Sequence, residues 1–314
     1  MGFASPEVTA LMATILTGSI FSCLGTCFII ITCFVLGKNK FLYWRLVMGL
    51  SVCLFIYSIT VLISSAMVLA RSPIYEAICN IQAYSIQASE QGAAVYILMI
   101  AVNVYLSVVT RYTPTLSAEI LFHAIPLLWG SIQALFPIFE LIPSIRYGRG
   151  EGWCWIEVKP SYARVVMSFT WIWIAIMAVF ILYIIVYLRI RRERDLTSFR
   201  KALLKGTDPT QKVTRALFLY PLAFSMLYVP RTVSAIVEGA SGFYFEVELF
   251  EAIFFALQGF MATVVFLFTG DVIKGYKRKN RRYTVTDSFE PVASSRASTF
   301  DAIPLLRGNQ SSYF

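Results

Sequence analysis

Few residues of this chain are equipped for chemistry, and those few are set among apolar neighbours. Asn80, Tyr84, Gln87 and Gln91 recur at spacings of four, three and four, which places them on one stripe of a helix with Glu90 beside it. Arg231 follows Pro230 in a second apolar run, and Glu251 and Gln258 stand in a third. A carboxylate or guanidinium at such positions has two uses: pairing with an opposite charge of the same chain, or gripping a polar ligand that enters from water. The glutamines likewise either glue helices together or line a wet cavity, and Glu90 between two of them favours the cavity. Nothing suits covalent or metal chemistry. No metal-ligand cluster, no nucleophile with a base and no phosphate-cradling loop occurs, so no enzyme and no cofactor is expected. His123, the single histidine, reads as structural.

The elements that carry these residues follow from composition. The chain is 58% hydrophobic and 14% charged, with a mean hydropathy of +0.68. Soluble domains carry about 25% charged residues, so this one cannot cover itself in water. Windows free of Asp, Glu, Lys and Arg run over 8–37, 46–70, 91–110, 120–139, 165–188 and 252–270, and 216–237 is broken only by Arg231. Each approaches the ~20 residues needed to cross about 30 Å of hydrocarbon. The expected fold is an all-α membrane protein, a bundle of seven transmembrane helices over residues 1–282. Helices are expected near 8–36, 42–70, 78–110, 119–142, 161–190, 216–237 and 247–269. The segment GDVIKGYKRKNRRY would form a short basic amphipathic helix on the anionic inner leaflet. The Ser/Thr-rich stretch 283–314 reads as a disordered cytoplasmic tail.

Charge orients the bundle. With seven spans the two ends face opposite sides, and the N-terminal side carries only Arg71, Arg146, Arg149, Lys159, Arg164 and Arg231 of the 27 Lys and Arg residues. The positive-inside rule then puts the N-terminus outside and the C-terminus in the cytoplasm, as for a multi-pass plasma-membrane protein. The net charge of +9 is thus an orienting charge, and no nucleic-acid partner is expected. Cys79 and Cys154 fall at the oxidising outer surface, where a disulfide is expected over two free thiols; the other four cysteines lie in spans 1 and 2. The sixth span holds Pro221 and Pro230, which in a bilayer serve either as hinges or as packing kinks.

Several stretches, in this order and spacing, resemble the cyclic-AMP-receptor-like class of G-protein-coupled receptors: the slime-mould cyclic AMP receptors and the fungal cyclic-AMP-receptor-like and glucose-sensing receptors. They are RLVMGLS entering helix 2, Cys79 with NIQA, MIAVNVYLSVV, Trp129-Gly130, Cys154-Trp155-Ile156, LYP at 219–221, Pro230-Arg231 and LQGF at 257–260. The sequence departs from rhodopsin-like receptors in reading TRY at the end of helix 3 and in lacking NPxxY, so their switches are not carried over. The short third cytoplasmic loop leans towards the cyclic-AMP-named branch.

The resemblance implies a small extracellular ligand, nutrient or cyclic-nucleotide-like, and a heterotrimeric G protein linked to cyclic AMP signalling. A pocket between helices 3, 5, 6 and 7 would take Gln87, Glu90, Gln91, Trp171, Arg231, Glu251 and Gln258 as ligand-binding candidates. Helix 6, hinged at Pro221 and Pro230, would open a cytoplasmic cleft edged by Arg111, Tyr112, Arg192, Lys205, Lys212 and Arg215. The same charges would also hold anionic membrane lipid. Thr284, behind Arg281-Arg282, and Ser298 are candidate phosphorylation sites for recruiting a desensitising partner. The competing reading is a seven-helix transporter or channel for small solutes. A retinal pump would need a Schiff-base lysine in helix 7, and 249–270 contain none.

Overall fold

The computed structural model describes residues 6–37, 41–72, 75–110, 112, 114–142, 145–149, 153–157, 162–201, 222–237 and 244–269, with side chains of the fifth helix described as far as Arg192. Charge-free runs become long helices because hydrocarbon offers the backbone no partner but itself. α1 spans Pro6–Val35, α2 Leu42–Leu69, α3 Glu76–Tyr105 and α4 Leu116–Leu135. A hairpin of β1 (Tyr147–Arg149) and β2 (Cys154–Ile156) precedes α5 (Thr170–Lys201). α6 (Leu222–Val237), α7 (Phe245–Ala256) and α8 (Gln258–Thr269) complete the described chain. α7 and α8 are two halves of one span, bent by 47°. With α6, whose lead-in lies outside the described residues, they bring the five long apolar helices to the seven expected spans.

Local chemistry sets several boundaries. Pro6 opens α1, where its missing N–H is no loss. Thr115 caps α4 by accepting from the Ala118 amide at 3.4 Å, and Glu119 complements the helix dipole in the first turn. α4 ends at Leu135, short of the 142 expected, because Pro137 has no N–H to continue the ladder. Two expected α-helical stretches contain wider π turns, at Leu106–Thr110 below α3 and at Val165–Phe169 above α5. The second matters for the site, since a wide turn leaves carbonyls pointing sideways.

The seventh span breaks because another helix intrudes. Ser22 of α1 donates its hydroxyl to the Ala256 carbonyl at 2.6 Å and accepts the Phe260 amide at 3.2 Å. It sits between a donor and an acceptor that would otherwise bond each other, which is a recognised cause of a sharp kink. Gly259 permits the approach. A Cβ there would lie 2.8 Å from Thr26 Cγ2 and 2.9 Å from the Ser22 carbonyl.

α3 is the central rod, packed against α2, α4, α5 and both strands. The buried share of its apolar stretch is 56%, against 28% for α4 at the periphery. The core divides into two apolar clusters. One includes Leu11, Ile15, Tyr57, Ile86, Trp155, Phe169 and Phe255; the other includes Leu46, Leu50, Ile100, Ile176, Tyr228 and Phe266. Glu90 lies between Ile86 of the first and Ala93 of the second, so the polar layer marks their junction. Outward-facing Leu24, Ile31, Leu128, Ile174 and Phe268 are exposed. Such an apolar exterior is a liability in water and the natural face towards lipid.

Candidate functional site

The polar layer is built around one guanidinium. Arg231 of α6 is 1% exposed and pairs with Glu90 of α3, itself 1% exposed. The Tyr228 hydroxyl donates to the same Glu90 oxygen at 2.9 Å, and Arg231 Nη1 donates to the Tyr57 hydroxyl at 3.3 Å. Glu251 of α7 stands 3.7 Å from Arg231 Nε. One side chain therefore ties α2, α3, α6 and α7 together. Glu248 neighbours this layer and accepts from Ser234 Oγ at 2.9 Å.

Burial makes this arrangement sensitive. Removing two ions from water costs several kcal/mol each, which their attraction offsets only with good geometry; deleting one partner leaves an uncompensated charge worth about 3–5 kcal/mol. Glu90 Oε2 and Arg231 Nη2 make no hydrogen bond among the described residues, so the layer is not saturated.

One side of the layer is roofed by the hairpin. β1 and β2 pair antiparallel with Tyr147 opposite Ile156 and Arg149 opposite Cys154. The expected Cys79–Cys154 disulfide is present and fastens β2 to the N-terminal end of α3. The Tyr147 hydroxyl donates to the Ala134 carbonyl at 2.9 Å, and burial pushes its phenol well above the usual range, so it stays a donor. Trp155 points inward. Its indole N–H donates to Gln87 Oε1 at 3.0 Å, and Arg231 lies over its ring with Cζ 4.7 Å from the centroid. Trp153 stacks on Phe255 at 5.3 Å, and Phe255 also lies under Arg231.

The expected site residues divide into three groups. Glu90, Arg231 and Glu251 come together as an ion cluster, the internal pairing that the sequence left open against a ligand grip. Gln87 and Gln91 are buried beside them, but their amides bind α5 and not a cavity: Gln87 Nε2 donates to the Met167 carbonyl at 3.1 Å, and Gln91 Nε2 to Ser168 Oγ at 3.1 Å. Both acceptors belong to the wide turn above α5. Gln258 sits apart, on a small cavity of about 20 Å³ lined by Leu50, Leu54, Ile97, Phe224 and Leu227, room for about one water. Trp171 is 40% exposed and packs edge-on against Trp129 at 5.0 Å, on the α4 side and away from the cluster.

Of the residues expected to couple to a G protein, Tyr112 and Arg192 are described and exposed. The Tyr112 amide closes the wide turn below α3 on the Leu106 carbonyl. Arg111, Lys205, Lys212 and Arg215 lie outside the described residues, as do Pro221, the basic segment after the seventh span, Thr284, Ser298 and the tail. Pro230 lies inside α6, directly before Arg231. Four residues of the site escaped sequence reasoning: Tyr57, Tyr228, Trp155 and Phe255. Tyr228 lay three residues before Arg231, on the same helical face, and Trp155 beside the paired cysteine. Nothing marked the other two. Among the described residues no group of three or more His, Cys, Asp or Glu could hold a metal ion.

Seven spans around a central third helix, with a disulfide at one end and a buried ion layer, define a seven-transmembrane helix bundle. The crystal structure of squid rhodopsin superposes with a TM-score of 0.70, covering 92% of this chain and 90% of that one at 13% identity. That likeness establishes the fold. Residues 7–196 match the family Git3, described as the G protein-coupled glucose receptor regulating Gpa2, and with most of its length matched the chain belongs to that family. It is therefore a multi-pass G-protein-coupled receptor of the cyclic-AMP-receptor-like class with a heterotrimeric G protein as partner; it is not an enzyme, and the transporter reading is not favoured. The matching family stands on the glucose-sensing side of that class, against the lean drawn from the short third loop. No curated protein matches.

Proposed function

We propose that this receptor sits in the plasma membrane with its N-terminus outside, senses a small extracellular nutrient, and passes the signal through the Glu90–Arg231–Glu251 cluster to a G protein. A hexose such as glucose, and an α subunit of the Gpa2 type, are the first candidates, because the family is described by that ligand and that partner. The observation that carries the reading is the cluster itself. A fully buried guanidinium shared by carboxylates of α3 and α7 lies directly beneath a disulfide-pinned outer hairpin.

A ligand acts by having different affinities for two packings of the bundle. A hydroxyl arriving from outside would donate to Glu90 Oε2, or an anionic group accept from Arg231 Nη2, and so draw the pair apart and loosen α6 from α3. Pro230, with Pro221, then lets the inner part of α6 tilt, because a proline leaves one carbonyl of the preceding turn unbonded. The cleft so opened is edged by Arg111, Tyr112, Arg192, Lys205, Lys212 and Arg215. Residues 1–282 form the receptor domain in this reading. The basic segment after the seventh span rests on anionic lipid. Phosphorylation of Thr284 or Ser298 in the tail 283–314 lifts that segment and recruits a desensitising partner.

The test is the full-length receptor in lipid nanodiscs with a heterotrimeric G protein, challenged with hexoses, amino acids and cyclic nucleotides. One class should accelerate nucleotide exchange, and Glu90→Gln and Arg231→Gln should each shift its potency at least tenfold. Equal potency in wild type and both variants would remove the cluster from the signalling path.

A further inference from the structure

Trp155 belongs to the hairpin, yet its ring is buried among residues of the helix bundle. It is 4% exposed, and four residues from outside the hairpin pack against it. Gln87 of α3 takes the indole N–H, Arg231 of α6 covers the ring, Phe169 at the head of α5 meets it edge-on at 6.0 Å, and the Arg164 guanidinium lies 5.2 Å from its centroid. A hydrogen-bond acceptor, cations against a π face and an edge-on aromatic make up a complete receptor for a flat aromatic N–H donor. The hairpin delivers the ring under control. The Cys79–Cys154 disulfide holds one side of Trp155, and the Arg164 side chain holds the other by donating to the Ile156 carbonyl at 2.9 Å.

We infer that this region is a built binding site for an indole-sized aromatic ligand, and that the chain fills it with its own Trp155 as a tethered ligand. The inference builds on the receptor function proposed above, since it gives the ion cluster its resting occupant. A diffusible ligand reaching Arg231 must then displace the ring or bind against it. Tethering also explains why the guanidinium tolerates burial with an unsaturated cluster, because the π face supplies charge stabilisation that water would otherwise give. The surroundings of Trp155 persist when the ring is removed, provided the disulfide and the Arg164 contact hold the hairpin.

The experiment uses the full-length receptor in nanodiscs, comparing wild type with Trp155→Ala, and indole as the probe. Binding is read by thermal shift and by ¹⁹F NMR of 5-fluoroindole, neither of which requires a G protein. Indole at millimolar concentration should raise the melting temperature of Trp155→Ala by several degrees and leave wild type unmoved. Adding Gln87→Leu to Trp155→Ala should abolish most of that shift. Basal nucleotide exchange should change at least threefold in Trp155→Ala and return towards wild type with indole. Should Trp155→Ala fail to fold, Trp155→Phe, which keeps a ring but not the N–H, must still change basal exchange in the same direction as Gln87→Leu. No indole binding by Trp155→Ala, or equal binding by wild type, overturns the inference. Indole binding without any change in exchange would leave the site standing and count against the signalling route instead.

Discussion

Replacing Ser22 with alanine should be costly out of proportion to one oxygen atom. The hydroxyl is fully buried, donates to the Ala256 carbonyl at 2.6 Å and accepts the Phe260 amide at 3.2 Å. Two outcomes compete once it is gone. If the break in the seventh span persists, a buried carbonyl and a buried N–H are both orphaned, at about 1–3 kcal/mol each. If the span straightens, Phe260 recovers Ala256 as its partner, but the 47° bend that seats Gly259 against Ser22 and Thr26 is lost. Interhelical hydrogen bonds in membranes average only ~0.6 kcal/mol, because the unfolded reference also finds partners. Two such bonds set a floor near 1 kcal/mol, and the span relaxes along the cheaper route, so about 1–2 kcal/mol is expected. At roughly 2–4 °C per kcal/mol, the melting temperature in nanodiscs should fall by about 2–8 °C. A thermal denaturation series followed by tryptophan fluorescence measures it. A melting temperature within 1 °C of wild type would refute the claim that Ser22 holds the break.

Other consequences are quicker to state. Gly259→Val should abolish folding or lower stability by at least about 3 kcal/mol, seen as loss of monodisperse receptor, because its Cβ would meet Ser22 backbone at 2.9 Å. Cys79→Ser, or reduction of the receptor, should cost about 2–4 kcal/mol and expose the hairpin to protease, since the bridge closes a loop between residues 75 positions apart. Tyr228→Phe should lower stability by about 1.5–3 kcal/mol, the range for a hydrogen bond to a charged group, read in the same thermal assay.

The spans were legible in the sequence because a bilayer demands long charge-free runs, and this chain has them. The α3 stripe was legible for the same reason: an acid and two amides cannot be hidden in hydrocarbon without a purpose. Charge alone left Arg231 with Glu90, Glu251 or a ligand as its partner, and only the packing of α3, α6 and α7 brings all three side chains together. What the sequence concealed was tertiary. The break at LQGF depends on Ser22, which no local pattern couples to residues 256–260. The inward turn of Trp155 depends on a hairpin only three residues long on each side, held by a disulfide, by the Tyr147 hydroxyl on the Ala134 carbonyl of α4 and by the Arg164 side chain. Trp171 illustrates phase. The wide turn at Val165–Phe169 inserts a residue into the helical count, and one residue rotates a helical face by about 100°. The residue expected to line a pocket was thereby turned towards α4, while the carbonyls of that turn were freed to hold Gln87 and Gln91.

In the proposed mechanism Glu90 and Arg231 act as one unit that holds α6 against α3. A double-mutant cycle on basal nucleotide exchange, with Glu90→Gln, Arg231→Gln and the pair together in full-length receptor, addresses that directly. Each single variant should raise the basal rate about tenfold, the equivalent of ~1.4 kcal/mol, and the double variant should exceed neither. Wild-type rates in both single variants, or effects that simply multiply in the double, would contradict it.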